Sequence, residues 1–419
     1  MAAEALDPDR VRPDFPALAR EVNGHPLAYL DNAATAQKPA VVLECLDRFY
    51  RQGASNVHRG IHTLSEEATA AYEAARDRVA ALIGASDRRG VVFTRNTTEA
   101  INLVAFSWGR ANLKAGERIV VTELEHHSNL LPWQVLAREV GAELAYVPLD
   151  GQGRLAIEAL DELLRGPVRL VAFSHVSNVL GTVVPAHEIV ARAHAVGALA
   201  LVDAAQSVPH MPVDVTALDC DFLAFSGHKL GSPTGVGVLY GRPELLEAMP
   251  PFLTGGGMIR HVSREGAMWD DLPHKFEAGT PPVAEAVALG AAVDYMCAIG
   301  LERIWAHEQA LARLAIAGLR RLPGVYVPGP PAEERGGVVA FTVAGVHPHD
   351  VAAALDAEGI AVRAGVHCAE VVHDCLNLGP TVRASFYLYN SAQEVERLIA
   401  AVAGVQRLFV EDRGDHSLS

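Results

Sequence analysis

Residues 221–231 read Asp-Phe-Leu-Ala-Phe-Ser-Gly-His-Lys-Leu-Gly: four apolar residues that end at Ser226 and give way to Gly227, His228 and Lys229. A short continuous apolar run closed by glycine reads as a strand buried on both faces, which puts Lys229 just past the strand's carboxyl end. The same pattern repeats outward from it. Apolar runs at 91–94, 119–122, 144–148, 169–174, 199–203 and 236–240 alternate with helix-length segments. Together these predict an α/β fold with a mostly parallel seven-stranded sheet between helices. Polar residues gather directly after the runs, at 96–99, 126–129, Asn178, Gln206, His228 and Lys229. In an open α/β sheet the ligand crevice lies beyond the strands' carboxyl ends, where these residues fall.

Composition narrows the class. The 419 residues carry 35 Lys and Arg against 50 Asp and Glu, a formal charge of −15, and half are hydrophobic. An acidic chain without a basic stripe is not expected to bind nucleic acid, and the apolar share is that of a globular protein. Apolar stretches are interrupted by charge, as Asp203 interrupts 197–208, and none reaches the ~20 residues of a membrane span. Residues 1–20 contain Glu4, Asp7, Asp9 and Asp14 and no apolar segment, so no secretory or transit signal is read and a cytoplasmic location is expected. Five scattered cysteines, Cys45, Cys220, Cys297, Cys368 and Cys375, read as reduced thiols rather than a disulfide framework. A long helical pattern spans 283–322, strand-like runs return at 337–343 and 382–387, and 328–337 has the make-up of a linker or surface loop. The expected division is an N-terminal arm (1–30), a large domain (31–290) and a small α/β C-terminal domain (291–419).

Most lysines are solvated surface charges, but the neighbours of Lys229 point to a different use. A lysine of lowered pKa can hold an aldehyde cofactor as a Schiff base, and pyridoxal phosphate then needs an acid for its pyridinium nitrogen, donors for its phosphate and a planar group against its ring. Asp203 ends an apolar run where a lone carboxylate is unusual. Thr97 and Thr98, between a strand end and a helix start, offer hydroxyls at a positive helix terminus, although either could be a plain N-cap. His126 and His127 offer planar rings; as adjacent residues they make a poor metal pair.

The motif set resembles the class V aminotransferase family of fold-type I pyridoxal-phosphate enzymes, and within it the SufS-type cysteine desulfurases. The resemblance runs through YLDNAATAQKP at 29–39, NVHRGIHTLSEEAT at 56–69, TRNTTEAIN at 94–102, EHHSNLLPWQ at 125–134, HVSNVLGT at 175–182, DAAQSVPH at 203–210, FSGHKLGSPTGVGVLYG at 225–241, FEAGTPP at 276–282 and RASFYLYN at 383–390. It implies that 31–290 is a pyridoxal 5'-phosphate-binding domain in which Lys229 bonds the cofactor, His126 stacks on the ring, Asp203 pairs with its nitrogen and Gln206 contacts its ring oxygen. Thr97, Thr98, Ser226 and His228 would serve the phosphate, with Thr280 arriving from the other subunit of a homodimer. Asn178, Arg363 and Arg383 would bind the substrate, Arg383 as a bidentate fork for the carboxylate.

The reaction type turns on Cys368. It follows Arg363-Ala364-Gly365-Val366-His367, a stretch similar to the family's active-site loop, in which the cysteine attacks substrate sulfur. His367 and Arg363 give it an electropositive setting on paper. Arg383 stands 15 positions beyond Cys368, matching the short SufS-type loop. Val366 replaces a histidine usual in the family, and the usual proline after the cysteine is missing. The resemblance therefore implies conversion of L-cysteine to L-alanine with sulfur held as a Cys368 persulfide, passed to an acceptor protein for iron–sulfur cluster assembly. L-selenocysteine lyase, epimerase and transaminase chemistry remain open on the same scaffold. Cys375 is either packed or a second thiol acceptor, and His367, Cys368, His373 and Cys375 have the wrong spacing for structural zinc, so no metal is expected.

Overall fold

Local sequence sets the strand ends in the computed structural model, which describes residues 5–406. The large sheet contains β2 (Val91–Thr94), β3 (Arg118–Thr122), β4 (Glu143–Val147), β5 (Val168–Ser174), β6 (Leu199–Asp203), β7 (Phe222–Ser226) and β8 (Gly237–Gly241); a short β1 (Ala28–Tyr29) precedes them. The strand order is β2-β8-β7-β6-β5-β3-β4. β8 is antiparallel to both its neighbours, while the pairs from β7 to β4 are parallel. Alternate residues feed two cores, Val171 and Phe173 facing one layer and Leu170 and Ala172 the other, as a sheet covered on both faces requires. Gly237 lets β8 approach the chain closely, since a Cβ there would come 2.5 Å from the Asn96 backbone. That contact sets the start of helix α3 (Thr97–Val104), which follows α1 (Ala40–Gln52) and α2 (Thr63–Leu82).

The helical pattern expected over 283–322 is two helices, α4 (Val283–Ile299) and α5 (Leu301–Leu319), bent by 75° at Gly300, which has φ 96°. A position with positive φ cannot continue a right-handed helix, and periodicity alone conceals it. No single helix among the described residues is long and apolar enough to cross a membrane. The boundary expected at 290 falls inside α4, which packs in the large-domain core as far as Met296. The change of core comes within α5, between Ile304 and Leu311. The second core also takes Ala28 and Leu30, because β1 pairs in parallel with β11 (Ile360–Ala361). The small domain's antiparallel sheet runs β9-β10-β13-β12, from β9 (Val325–Tyr326), β10 (Val338–Val343), β12 (Arg363–Gly365) and β13 (Thr381–Ser385). Residues 328–337 expose Pro331, Glu333 and Glu334 but are anchored by Arg335, which is fully buried and donates to the carbonyls of Pro330 and Leu180.

Candidate active site

Loops leaving the carboxyl ends of β2, β3, β5, β6 and β7 meet residues 33–35 and the small domain around one cavity of about 400 Å³. Thr97, Thr98, His126, Asn178, Asp203, Gln206, Ser226, His228, Lys229, Arg363, Cys368 and Arg383 all line it. Thr280 does not. It lines another cleft with His58, Arg59, Gly257 and His274 that shares no lining residue with the first.

Burial governs the ionisable groups at the base. It brings the Lys229 ammonium down to about 8, with Asp203 pulling the other way. Asp203 is itself buried, which raises its carboxyl above the ordinary range; Oδ1 accepts from the Ala205 N–H at 2.9 Å, and the residue has no ion-pair partner within 4 Å among the described residues. A buried carboxylate so placed is suited to a cationic heterocycle. Gln206 Nε2 donates to the Ala33 carbonyl at 2.8 Å. His126 is pushed down to about 3 by burial and the nearby Lys229, so its ring is neutral. Its Nδ1 accepts from the Ser128 N–H at 3.1 Å, leaving the proton on Nε2.

The polar rim is tightly paired. The Thr97 N–H donates to Ser226 Oγ at 2.9 Å, and the two hydroxyls lie 2.7 Å apart. Thr98 Oγ1 meets Ser128 Oγ at 2.7 Å. Neither threonine caps α3: Asn96 does, its side chain accepting from the Glu99 N–H. His228 Nδ1 lies 3.2 Å from Thr35 Oγ1, and its carbonyl accepts from Lys38 Nζ at 2.9 Å. The turn carrying His126 rests on Glu125, which sequence reading passed over. Its buried carboxylate accepts from the Ser174 N–H and hydroxyl and from Asn129 Nδ2.

Asp31 is the second residue that sequence reading missed. It takes the Arg363 guanidinium through both oxygens at 3.0–3.2 Å and Arg383 Nη2 at 3.2 Å. Arg383 is buried, its Nη1 donates to the Asn178 carbonyl, and its Nε has no protein partner. Only the acidic residue directly after the apolar run 27–30 hinted at this. The Asn178 amide donates to the His367 carbonyl at 2.8 Å, so it clasps the cysteine turn.

His367 and Cys368 occupy consecutive left-handed conformations, φ 53° and 56°, that non-glycine residues rarely adopt together. Cys368 is exposed at the cavity. The His127 N–H donates to its carbonyl at 2.8 Å, and His127 pairs with Glu370 at the start of helix α6 (Glu370–Cys375) instead of facing the cavity. His367 does not supply the electropositive setting expected of it; Lys229, Arg363 and Arg383 are the cations that interact with Cys368. Burial holds that ring neutral, at about 3, and Nε2 lies 2.9 Å from Thr381 Oγ1. Arg363 also pairs with Asp31, at 3.0 Å. All five cysteines are free thiols; Cys375 is exposed at the end of α6, with partial burial and Glu123 pushing its thiol up to about 12. His367 and His373 share Thr381 rather than forming a metal cage with the cysteines. Among the described residues, His58, Glu73 and His274 bring ligand atoms within 4.8 Å of one another, but Glu73 is already engaged by Arg76 and Arg88.

Residues 28–398 match the family described as Aminotransferase class-V. A cysteine desulfurase of Haloferax volcanii is 48% identical over 417 residues, covering 96% of this chain and 98% of its own. An apo cysteine desulfurase from Thermococcus onnurineus superposes with TM-score 0.91 at 44% identity, covering 97% of this chain and 99% of that one. The Escherichia coli cysteine desulfurase CsdA, in an S-sulfonic acid form, gives TM-score 0.90 at 41% identity over 97% of this chain and 100% of its own.

Proposed function

The chain belongs to the aminotransferase class-V family, and from that premise we propose that it is a cysteine desulfurase, taking sulfur from L-cysteine onto Cys368 and releasing L-alanine. One observation carries the reading: the exposed thiol of Cys368 lines the same cavity as Lys229 and Arg383.

Pyridoxal 5'-phosphate fits the groups present. Asp203 is a buried carboxylate for the pyridinium nitrogen, Gln206 has an amide hydrogen for the ring oxygen, and His126 is a neutral face for the ring. Thr97, Thr98, Ser226 and His228 form the polar rim for the phosphate. When bound, the cofactor supplies an aldehyde for the substrate amine and a sink for the electron pair left at Cα. The rest is the work of this chain's side chains. Lys229, with its lowered pKa, accepts the Cα proton and returns it. Arg383 offers its unpartnered Nε, and Arg363 its exposed guanidinium, to the substrate carboxylate, which competes with Asp31 for both. The Cys368 thiolate attacks substrate sulfur; the new S–S bond forms as the C–S bond breaks, and the bonding pair leaves with carbon, which takes a proton and departs as alanine. L-cysteine and a thiol thus give alanine and a persulfide, with no external oxidant or reductant.

Thr280, outside this chain's own cavity, supports a homodimer in which it reaches the phosphate of a second copy. The short stretch from Cys368 to Arg383 supports a SufS-type enzyme that passes sulfur to an acceptor protein for iron–sulfur cluster assembly in the cytoplasm. The test is to add L-cysteine to the purified protein reconstituted with pyridoxal phosphate and quantify alanine, with mass spectrometry after one turnover. Alanine with one extra sulfur atom on the Cys368 peptide is expected. Sulfur found first on Cys375, or turnover that requires a keto acid, overturns the reading, and faster turnover of L-selenocysteine reassigns the substrate.

A further inference from the structure

Behind the active-site cavity, and sharing Ala33, Val176 and Gln206 with its wall, lies a much smaller space of about 10 Å³ that is also lined by His210 and Trp305. That is about the room one water needs, and water settles in such a space when two or more polar atoms face it. Gln206 and His210 both belong to this lining, and Gln206 Oε1 and His210 Nε2 are buried with no protein partner. The side chains that carry them are more than nine-tenths buried. Their other ends are committed. Gln206 Nε2 donates to the Ala33 carbonyl at 2.8 Å, and His210 Nδ1 lies 3.0 Å from Oε1 of Glu308, a fully buried acid whose carboxyl is raised by that burial. The Tyr387 and His210 rings meet edge to face, with centroids 5.1 Å apart, so the imidazole is fixed from two sides.

We propose that this space is a water site and that His210, backed by Glu308, is a positioning residue for Gln206. The water donates one O–H to Gln206 Oε1. It meets His210 Nε2 with its other O–H or its lone pair, according to which member of the His210–Glu308 pair carries their proton. The Gln206 amide is then fixed at both ends, and its second Nε2–H remains for the cofactor's ring oxygen. This last consequence rests on the cofactor reading given above.

Two measurements on the reconstituted protein test the arrangement. A high-resolution crystal structure of the wild type is expected to show one ordered water within hydrogen-bond distance of Gln206 Oε1 and His210 Nε2; a dry space overturns the proposal. The second is a pH titration of the bound cofactor's absorbance. An N–H donated to the ring oxygen favours its deprotonated form, so His210→Phe should raise the midpoint by about half a unit to one unit. His210→Asn, which keeps a polar atom at the water, should return it toward the wild-type value, and Glu308→Gln should raise it by less. If His210→Phe does not fold, the other two variants and the wild-type density decide the matter. A wild type that takes up no cofactor defeats the functional reading itself, whereas a cofactor-loaded protein whose midpoint is indifferent to position 210 defeats only the positioning role.

Discussion

The two sides of the cavity are built to opposite rules. On the large-domain side, Lys229, Asp203, Ser226, Thr97 and His126 follow strands buried on both faces, and the polar atoms of the last four are set by short bonds within that domain. On the small-domain side, residues 366–369 form a turn between β12 and α6 with two successive left-handed residues, the second of them the exposed Cys368. That turn is clasped at a few points: the His127 N–H and the Asn178 amide on its carbonyls, and Thr381 on His367. The contrast shows how one site meets two demands. Groups that must hold shifted proton affinities need burial, because desolvation is what shifts them. A nucleophile that must reach a bound substrate needs exposure instead, and a tight turn presents Cys368 at the cavity while the neighbouring Ala369 and Val372 anchor it in the core.

Substitutions break the two sides differently. The largest effect is expected at Lys229: Lys229→Ala should leave no borohydride-fixable bond to the cofactor and reduce alanine formation by about 10⁴-fold, measured by absorbance and amino-acid analysis. Cys368→Ser should leave the cofactor spectrum and its response to L-cysteine intact while alanine formation falls by about 100-fold or more, since a hydroxyl is a far weaker sulfur nucleophile than a thiolate. A loss of cofactor binding in this variant would show that the turn is part of the buried side after all.

Arg383→Lys keeps the charge and loses the fork. KM for L-cysteine is expected to rise about 10-fold or more with a smaller change in kcat, as steady-state kinetics will show.

Acid sharpens the comparison further. His126 and His367, one from each side, are held neutral at about 3 by burial, while in the unfolded chain each takes up a proton near pH 6.5. Between about pH 6.5 and 3 the unfolded state therefore binds more protons, so stability falls as pH falls through that window. His367→Asn should recover about 2 kcal/mol of the loss between pH 7 and 5, read from urea unfolding at the two pH values. The smallest effect belongs to the rim: Glu370→Gln removes an exposed partner of His127 and should cost under about 1 kcal/mol, changing turnover by a few-fold at most.

Much of the large domain was legible because its strands are unbroken apolar runs and its chemistry follows their ends; the observed bounds differ from the expected ones by about a residue. What escaped was long-range or conformational. Asp31 reads as an ordinary turn residue until Arg363 and Arg383, more than 300 positions away, close on it. Asn96 outcompeted both threonines for the cap of α3 because Thr97 is drawn to Ser226. His367 carries a cationic look in sequence that burial removes, and the bend at Gly300 is invisible to a helical periodicity that continues on either side of it.

The pairing of Ala28 with Ile360, and of Val91 with Tyr240, has a consequence for how the chain comes into being. Contacts of such separation form late, since each closes a very long loop. During synthesis β1 has no strand to join until Ile360 has left the ribosome, and α3 has no β8 to lean on until residue 241 has done so. The cavity draws its walls from residues 33 to 383, so it is among the last features to exist. Its two halves do not arrive together: the groups assigned to the cofactor, from Thr97 to Lys229, can meet it once the large sheet has closed, whereas Arg363, Cys368 and Arg383, assigned to the substrate, join only when the small-domain strands are in place.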